Sequence, residues 1–192
     1  MKTMIKAVRC HRFAGLDAEG NPVSTPDSVV EVLSLDEISR PECEPGTILV
    51  SVNYAGIQYP DFLQAQGFYQ QKPVLPYVPG MDATGTVLEI GVGVERFQVG
   101  DRVVGQMNIG CLAEVVKVPK ESVWKVPDEV QLSRCANLGR NFFPAYHSLK
   151  ILGEVGPESL VLVDGASGGV GMAAIELAKA MGALVIAGVS VD

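Results

Sequence analysis

The sequence predicts a fold in two parts: an all-β region built as a small barrel or sandwich, then an α/β region that opens with one β-α-β unit. Three observations predict it. Short β-branched runs punctuated by Gly and Pro fill the chain as far as Pro127. Beyond Pro127 the apolar spacing becomes helical. Finally, the apolar run Leu160 to Val163 leads through a glycine-rich turn into helix-spaced residues and then a second apolar run, Ala183 to Val189.

Taken in order, Met4 to Arg9 alternates loosely as a strand. Ser28 to Leu35 and Thr47 to Ile57 are rich in β-branched residues and also read as strands. Gly85 to Ile90 follows, and then Gly91, Gly93, Gly100 and Gly105 cut short apolar runs at intervals that suit tight turns and barrel corners. Leu112 to Val118 alternates again and stops at Pro119. After Pro127, a helix is expected near Ser133, with that serine as its cap. Asn141 to Leu152 reads as a helix with Pro144 in its first turn. Leu160 to Val163 and Ala183 to Val189 read as buried parallel strands, and Gly168 to Met181 as the helix between them.

Composition narrows the function classes. A formal net charge of −7 and a pI near 4.9 repel a phosphate backbone, so nucleic-acid binding is not expected. A cradle for a single phosphate group is still allowed, because backbone amides supply it. No apolar stretch reaches the ~18 residues of a membrane span, and the basic N-terminus has no apolar run behind it to make a secretory leader. Cys10, Cys43, Cys111 and Cys135 lie far apart, without a C-x-x-C pair. They read as reduced thiols of a cytoplasmic protein rather than as a metal site.

The segment Gly165-Ala166-Ser167-Gly168-Gly169-Val170-Gly171 carries the chemistry. Counted from Ala166 it reads A-x-G-x-x-G, a variant of the dinucleotide fingerprint, set between a strand and a helix. Gly168 lets the backbone approach a pyrophosphate, Gly171 lets helix and strand pack closely, and the helix N-terminus offers unpaired N–H groups to the phosphates. Ser190 stands 19 residues past Gly171, where an acid would hold the ribose of NAD. A small neutral residue there accommodates a 2′-phosphate, which favours NADPH; Asp192 close by is the residue that would reverse this choice.

Several stretches together resemble the zinc-independent quinone oxidoreductases (zeta-crystallin-like) of the medium-chain dehydrogenase/reductase superfamily. They are Ala55 to Asp61, Gln66 to Tyr69, Lys72 to Gly80, Gly100 to Val103, Pro144 to Tyr146 and Gly165 to Gly171. The resemblance implies a GroES-like β-barrel domain over residues 1–127, the beginning of a Rossmann domain over 128–192, and an active site in the cleft between them. It also implies a homodimer, and it sets this chain apart from the zinc-dependent alcohol dehydrogenases. The places of their metal ligands hold Gln58 and Met81, and Arg140-Asn141-Phe142 lacks the third Cys. An amide and a thioether are poor zinc ligands, so no metal is expected.

What the resemblance then implies is hydride transfer from NADPH to a quinone or an α,β-unsaturated carbonyl. Tyr69 matches the tyrosine at the substrate carbonyl of related enoyl thioester reductases. Gln58 replaces an Asn that contacts the nicotinamide region, Tyr59 lines the same pocket, and Tyr146 touches the cofactor ring or ribose. His147 and His11 have no partner in an evident motif. The family's Rossmann domain continues for several more βα units, so a C-terminally truncated protein is expected, one that binds NADPH weakly and turns over poorly. Two other functions stay open: a non-catalytic GroES-like module for binding or dimerisation, and an enoyl thioester reductase.

Overall fold

The computed structural model describes residues 3–190. They form two compact units, one running through Ala136 and one starting at Asn137.

The first unit contains β1 (Met4–Cys10), β2 (Leu33–Ser39), β3 (Thr47–Gly56), helix α1 (Tyr59–Gln66), β4 (Asp82–Ile90), β5 (Arg102–Gln106), β6 (Val115–Pro119) and β7 (Val123–Lys125). Five strands pair antiparallel in the order β6-β3-β4-β5-β7, while β1 and β2 make a separate antiparallel ribbon. Period-two alternation explains the packing. On β3, Ile48 and Val50 enter a core with Val87, Val103, Val118 and Val123, while Leu49 points the other way, to Ile5 of β1 and Val115. Two-sided burial of β3 is the reason its sequence is apolar at successive positions.

The barrel is open rather than closed among the described strands. β7 pairs only with β5, and β6 only with β3. The ribbon is tied on just ahead of β6, through Val8 N–H to Leu112 O (2.8 Å) and Glu114 N–H to Lys6 O (2.9 Å). The central β3–β4 pairing slips at Leu49/Val50 and at Val52/Tyr54, bulges that bend the strand. Gly85 lies opposite Val52, where β3 comes so close that a Cβ on residue 85 would stand 1.8 Å from Ser51 O.

Helix α1 has clear boundaries. Gln58 is extended at its N-cap, with φ −132° and ψ 163°, and Pro60 sits in the first turn, where its missing N–H costs nothing. Gly67 ends it at φ +84°, with its N–H directed to Gln64 O and Leu63 O. Beside this helix, Cys10, Ala14, Val32, Ala65 and Tyr77 form a second buried cluster. Burial pushes the Tyr77 phenol and the Cys10 thiol above their ordinary values. Both groups are neutral when protonated, so a raised folded pKa means stability that is full at lower pH and lost as pH rises. The urea midpoint of this unit is expected to fall above the usual tyrosine value of about 10. Tyr77→Phe is expected to flatten that alkaline limb; an unchanged limb would remove the phenol from the account.

In the second unit, β8 (Leu160–Val163) and β9 (Leu184–Ala187) pair parallel, joined through α3 (Gly169–Ala180). Ahead of them, residues 138–152 are helical throughout. π-type turns at Leu138–Phe142 and His147–Leu152 flank α2 (Phe143–Tyr146), which carries Pro144 in its first turn. Leu149, Val155, Ala178 and Ala183 form the core with Val161, Val185, Leu177 and Met181 packed against it.

Three expectations from the sequence need correction. Ser133 caps no helix; it lies inside a 3₁₀ turn, Leu132–Cys135, whose N-cap is Gln131. That turn belongs to the first unit and packs on its sheet, where the Thr84 hydroxyl donates to Leu132 O at 3.0 Å. The run Ser28 to Leu35 is not one strand, because Val29–Val32 is a 3₁₀ turn and β2 begins at Leu33. Finally, the strands expected to be buried are covered on one face only. Val161 and Val185 meet the helices, while Leu160, Leu162, Leu184 and Ile186 are 51–70 % exposed.

Candidate functional site

The two groups of sequence-predicted residues lie in different units. In the second unit, β8 ends at Val163 and the chain turns through Asp164 to Gly168 into α3. Gly165 has φ +66°, a left-handed conformation that glycine adopts without strain. The turn is tied to the end of β9 by Ala166 N–H to Gly188 O (2.9 Å) and Gly188 N–H to Val163 O (2.8 Å). Ala166 is buried, which explains an alanine methyl at that place.

Three amides of this turn are already committed: Gly165 to Asp164 Oδ1 (3.0 Å), Ala166 to Gly188 O, and Gly168 to Gly165 O (3.0 Å). The first intrahelical bond is Met172 N–H to Gly168 O, 2.8 Å. The amides of Gly169, Val170 and Gly171 precede it and have no protein acceptor among the described residues. With the helix dipole behind them they form a cradle for an anion, and Ser167, Gly168, Gly169 and Val170 around it are exposed.

Gly171 works differently from the expectation. A Cβ there would meet Gly165 O at 2.3 Å and the Ala166 Cα at 2.9 Å. It lets the first helical turn close onto the loop, not onto the strand. Sequence reasoning also missed Asn141 as a neighbour of this place. A Cβ on Gly169 would lie 2.8 Å from both Nδ2 and Oδ1 of Asn141, so that amide covers the helix start. No periodic signal marks such a contact. Ser190 is exposed beyond β9, and Asp192 lies outside the described residues. Tyr146 is exposed at the end of α2.

In the first unit the structure brings Gln58 and Tyr59 together at the start of α1. Tyr59 is 71 % exposed and stacks on Phe62, with ring centroids 6.2 Å apart. Tyr69 follows the other end of the helix, half-buried, with its N–H 3.2 Å from Leu63 O. An eight-residue helix therefore separates Tyr69 from the other two along the chain, a length of about 12 Å.

Two carboxylates that the sequence did not single out hold Gln58. Asp61 is 5 % exposed and takes the Gln58 N–H at 2.9 Å and the Gly80 N–H at 3.1 Å. Asp82 is fully buried, and its Oδ2 takes the Gln58 Nε2–H at 3.0 Å. Met81 between them is buried in the core. Among the described residues no group of three or more His, Cys, Asp or Glu is placed to hold a metal ion, and no helix is long and apolar enough to cross a membrane.

Comparison with known proteins places this geometry. Residues 44–128 match the family model for the alcohol dehydrogenase GroES-like domain. The chain is 33 % identical over 185 residues to the quinone oxidoreductase of Pongo abelii, covering 95 % of this chain and 52 % of that protein. It is 34 % identical over 146 residues to quinone oxidoreductase-like protein 2 of Rattus norvegicus, covering 76 % of this chain and 42 % of the relative. Among solved structures, the quinone oxidoreductase of Thermus thermophilus, described with its NADPH complex, superposes with a TM-score of 0.74. It is 30 % identical, and the match covers 95 % of this chain and 52 % of that one. The chain thus spans about half the length of the curated relatives it matches. With its GroES-like sheet region followed by β8-α3-β9, it belongs to the medium-chain dehydrogenase/reductase superfamily, as a quinone oxidoreductase-like member.

Proposed function

We propose that this chain is part of a zinc-independent oxidoreductase that passes hydride from NADPH to a quinone or an α,β-unsaturated carbonyl. One observation carries the reading: three uncommitted amides at the start of α3, behind a glycine-rich turn, in a chain similar to quinone oxidoreductases along 95 % of its length. On this reading residues 1–127 form the substrate domain and residues 128–192 begin the cofactor domain.

The residues present fit a dinucleotide. The amides of Gly169, Val170 and Gly171 would hold its phosphates, within the set Gly165, Ala166, Ser167, Gly168, Gly169, Val170 and Gly171. Ser190 leaves the 2′-phosphate unopposed, and Tyr146 would touch ring or ribose. When bound, NADPH supplies the hydride. The chain's own residues bind and orient the reactants, a contribution worth several orders of magnitude in rate. Tyr69, half-buried, would donate its phenolic O–H to the oxygen on which charge develops. Gln58 and Tyr59 would line the acceptor's side. With Gln58 and Met81 at the ligand positions of the zinc enzymes, the donor set does not suit zinc. We take the protein to act in the cytoplasm, as a homodimer.

The test is a fluorescence titration of the 192-residue chain with NADPH and NADH, followed by NADPH oxidation with 1,2-naphthoquinone and with a crotonyl thioester. Saturable, weak binding is expected, with NADPH preferred about tenfold, the equivalent of one contact near 1.4 kcal/mol. Turnover with naphthoquinone above the thioester supports quinone reduction; the reverse order supports the enoyl thioester reading. No binding of either nucleotide, together with a defined oligomer or partner complex, would replace the proposal by a non-catalytic GroES-like module.

A further inference from the structure

Helix α3 begins without a side-chain cap, because its N-cap residue is Gly168. The polar side chain that reaches this place comes from earlier in the same unit. Asn141 lies in the π-type turn Leu138–Phe142, with its N–H 3.3 Å from Asn137 O. Such turns are wider than an α-helix and recur at functional sites. The side-chain amide of Asn141 rests against Gly169. Its Nδ2 and Oδ1 each stand 2.8 Å from where a Cβ on residue 169 would be, and its Cγ stands at 3.0 Å. That amide makes no hydrogen bond among the described residues.

The glycine at 169 is explained by this contact. Residue 169 is helical, and alanine in a helix is ordinarily better than glycine. The atoms nearest to an added methyl all belong to Asn141, so glycine leaves that amide its room. The amide itself carries two N–H donors on Nδ2 and one acceptor, Oδ1. A half-buried amide without a partner has lost part of its hydration and gained nothing for it. Beside it stand the unpaired N–H groups of Gly169, Val170 and Gly171, with the positive end of the helix dipole behind them. From this arrangement we infer that Asn141 is the fourth donor of the anion cradle: its Nδ2–H joins those three amides on the diphosphate of the dinucleotide, and Gly169 admits it. The inference rests on the proposed cofactor reading.

The experiment titrates the intact chain and four variants with NADPH, followed by nicotinamide fluorescence, and with inorganic diphosphate, followed by the side-chain amide resonances of Asn141. Asn141→Ala removes the donor. Asn141→Asp keeps the shape but puts a carboxylate against the phosphates. Both are expected to weaken both ligands about tenfold or more, the worth of one hydrogen bond to a charged group. Gly169→Ala is expected to weaken binding similarly, by displacing the amide. In the Asn141→Ala, Gly169→Ala double variant the second change is expected to cost nothing further, because its obstacle is gone. In the intact chain, diphosphate is expected to shift the Asn141 Nδ2 resonances.

Unchanged affinity in folded Asn141→Ala, or in Asn141→Asp, means that the side chain only fills space; it overturns the inference and leaves the redox reading standing. A loss on NADPH with none on diphosphate, or a further loss in the double variant, overturns it as well. Failure of the intact chain to bind NADPH overturns the redox reading, and this inference with it. Should the Asn141 variants unfold, Gly169→Ala is read with the resonance shift: weakened binding and a shifted amide support the inference, and the absence of either overturns it.

Discussion

Gly171→Val is expected to abolish NADPH binding by the chain and to destabilise its second unit. A Cβ at residue 171 would stand 2.3 Å from Gly165 O and 2.9 Å from the Ala166 Cα. Both obstacles are backbone, so no rotamer relieves them. Ala166 is further pinned by its bond to Gly188 O, so the loop cannot retreat without breaking its tie to β9. The first helical turn must then shift away from the loop, which displaces the amides of Gly169, Val170 and Gly171 together. Overpacking of this kind costs about 1–3 kcal/mol or more, and losing three aligned donors should weaken nucleotide binding by two or more orders of magnitude. A fluorescence titration and a thermal melt followed by circular dichroism check both parts. Gly93→Ala is the control: it lies on a turn in the first unit with no atom within 4 Å of its Cβ position, so its effect is confined to the backbone strain at φ +81°. Normal nucleotide affinity in folded Gly171→Val would show that the start of α3 is not where phosphate binds.

Gly85→Val is expected to have the largest effect on stability. Residue 85 is in β4, the middle strand of β6-β3-β4-β5-β7, paired with Val52 on one side and Val103 on the other. Its Cβ would overlap Ser51 O at 1.8 Å and the Ser51 carbonyl carbon at 2.8 Å. Relief requires β3 and β4 to separate at their bulge, and these two strands carry Ile48, Val50 and Val87 of the main core. The expected loss exceeds about 4 kcal/mol, the range reserved for gross overpacking of a core. Urea denaturation is the measurement, and the expected result is a first unit without a cooperative transition. A loss below about 1 kcal/mol would mean that the strand pair can open at little cost, contrary to the close approach at the bulge.

Legibility in the sequence followed the length of the repeating pattern behind each element. β1, β3 and α3 are 7, 10 and 12 residues long, and each lies under an apolar run that the sequence shows: loosely alternating in β1, β-branched in β3 and helix-spaced in α3. Helix α1 escaped the periodicity reading: it is eight residues long with Pro60 near its start, and its boundaries depend on Asp61 and Gly67 rather than on an apolar stripe. β7 is three residues long, too short to show any period. Ser133 had the chemistry of a cap, but tertiary contact with the sheet held its segment in a 3₁₀ turn. The apolar runs of β8 and β9 suggested burial on both faces. Their outer leucines are exposed because the helices of this unit all pack on one side of a two-stranded sheet.

By itself the sequence determined the order of the two regions, the glycine-rich turn between β8 and α3, and the family to which the chain belongs. These depend on residue types at short, local spacings, where backbone sterics and side-chain periodicity act directly. Only the tertiary structure decided which amides of the turn remain uncommitted and why Gly171 must be glycine. It also decided that Asp61 and Asp82, one on α1 and one on β4, converge on Gln58. Those facts depend on distances between segments far apart in the chain, and no local pattern encodes a distance of that kind.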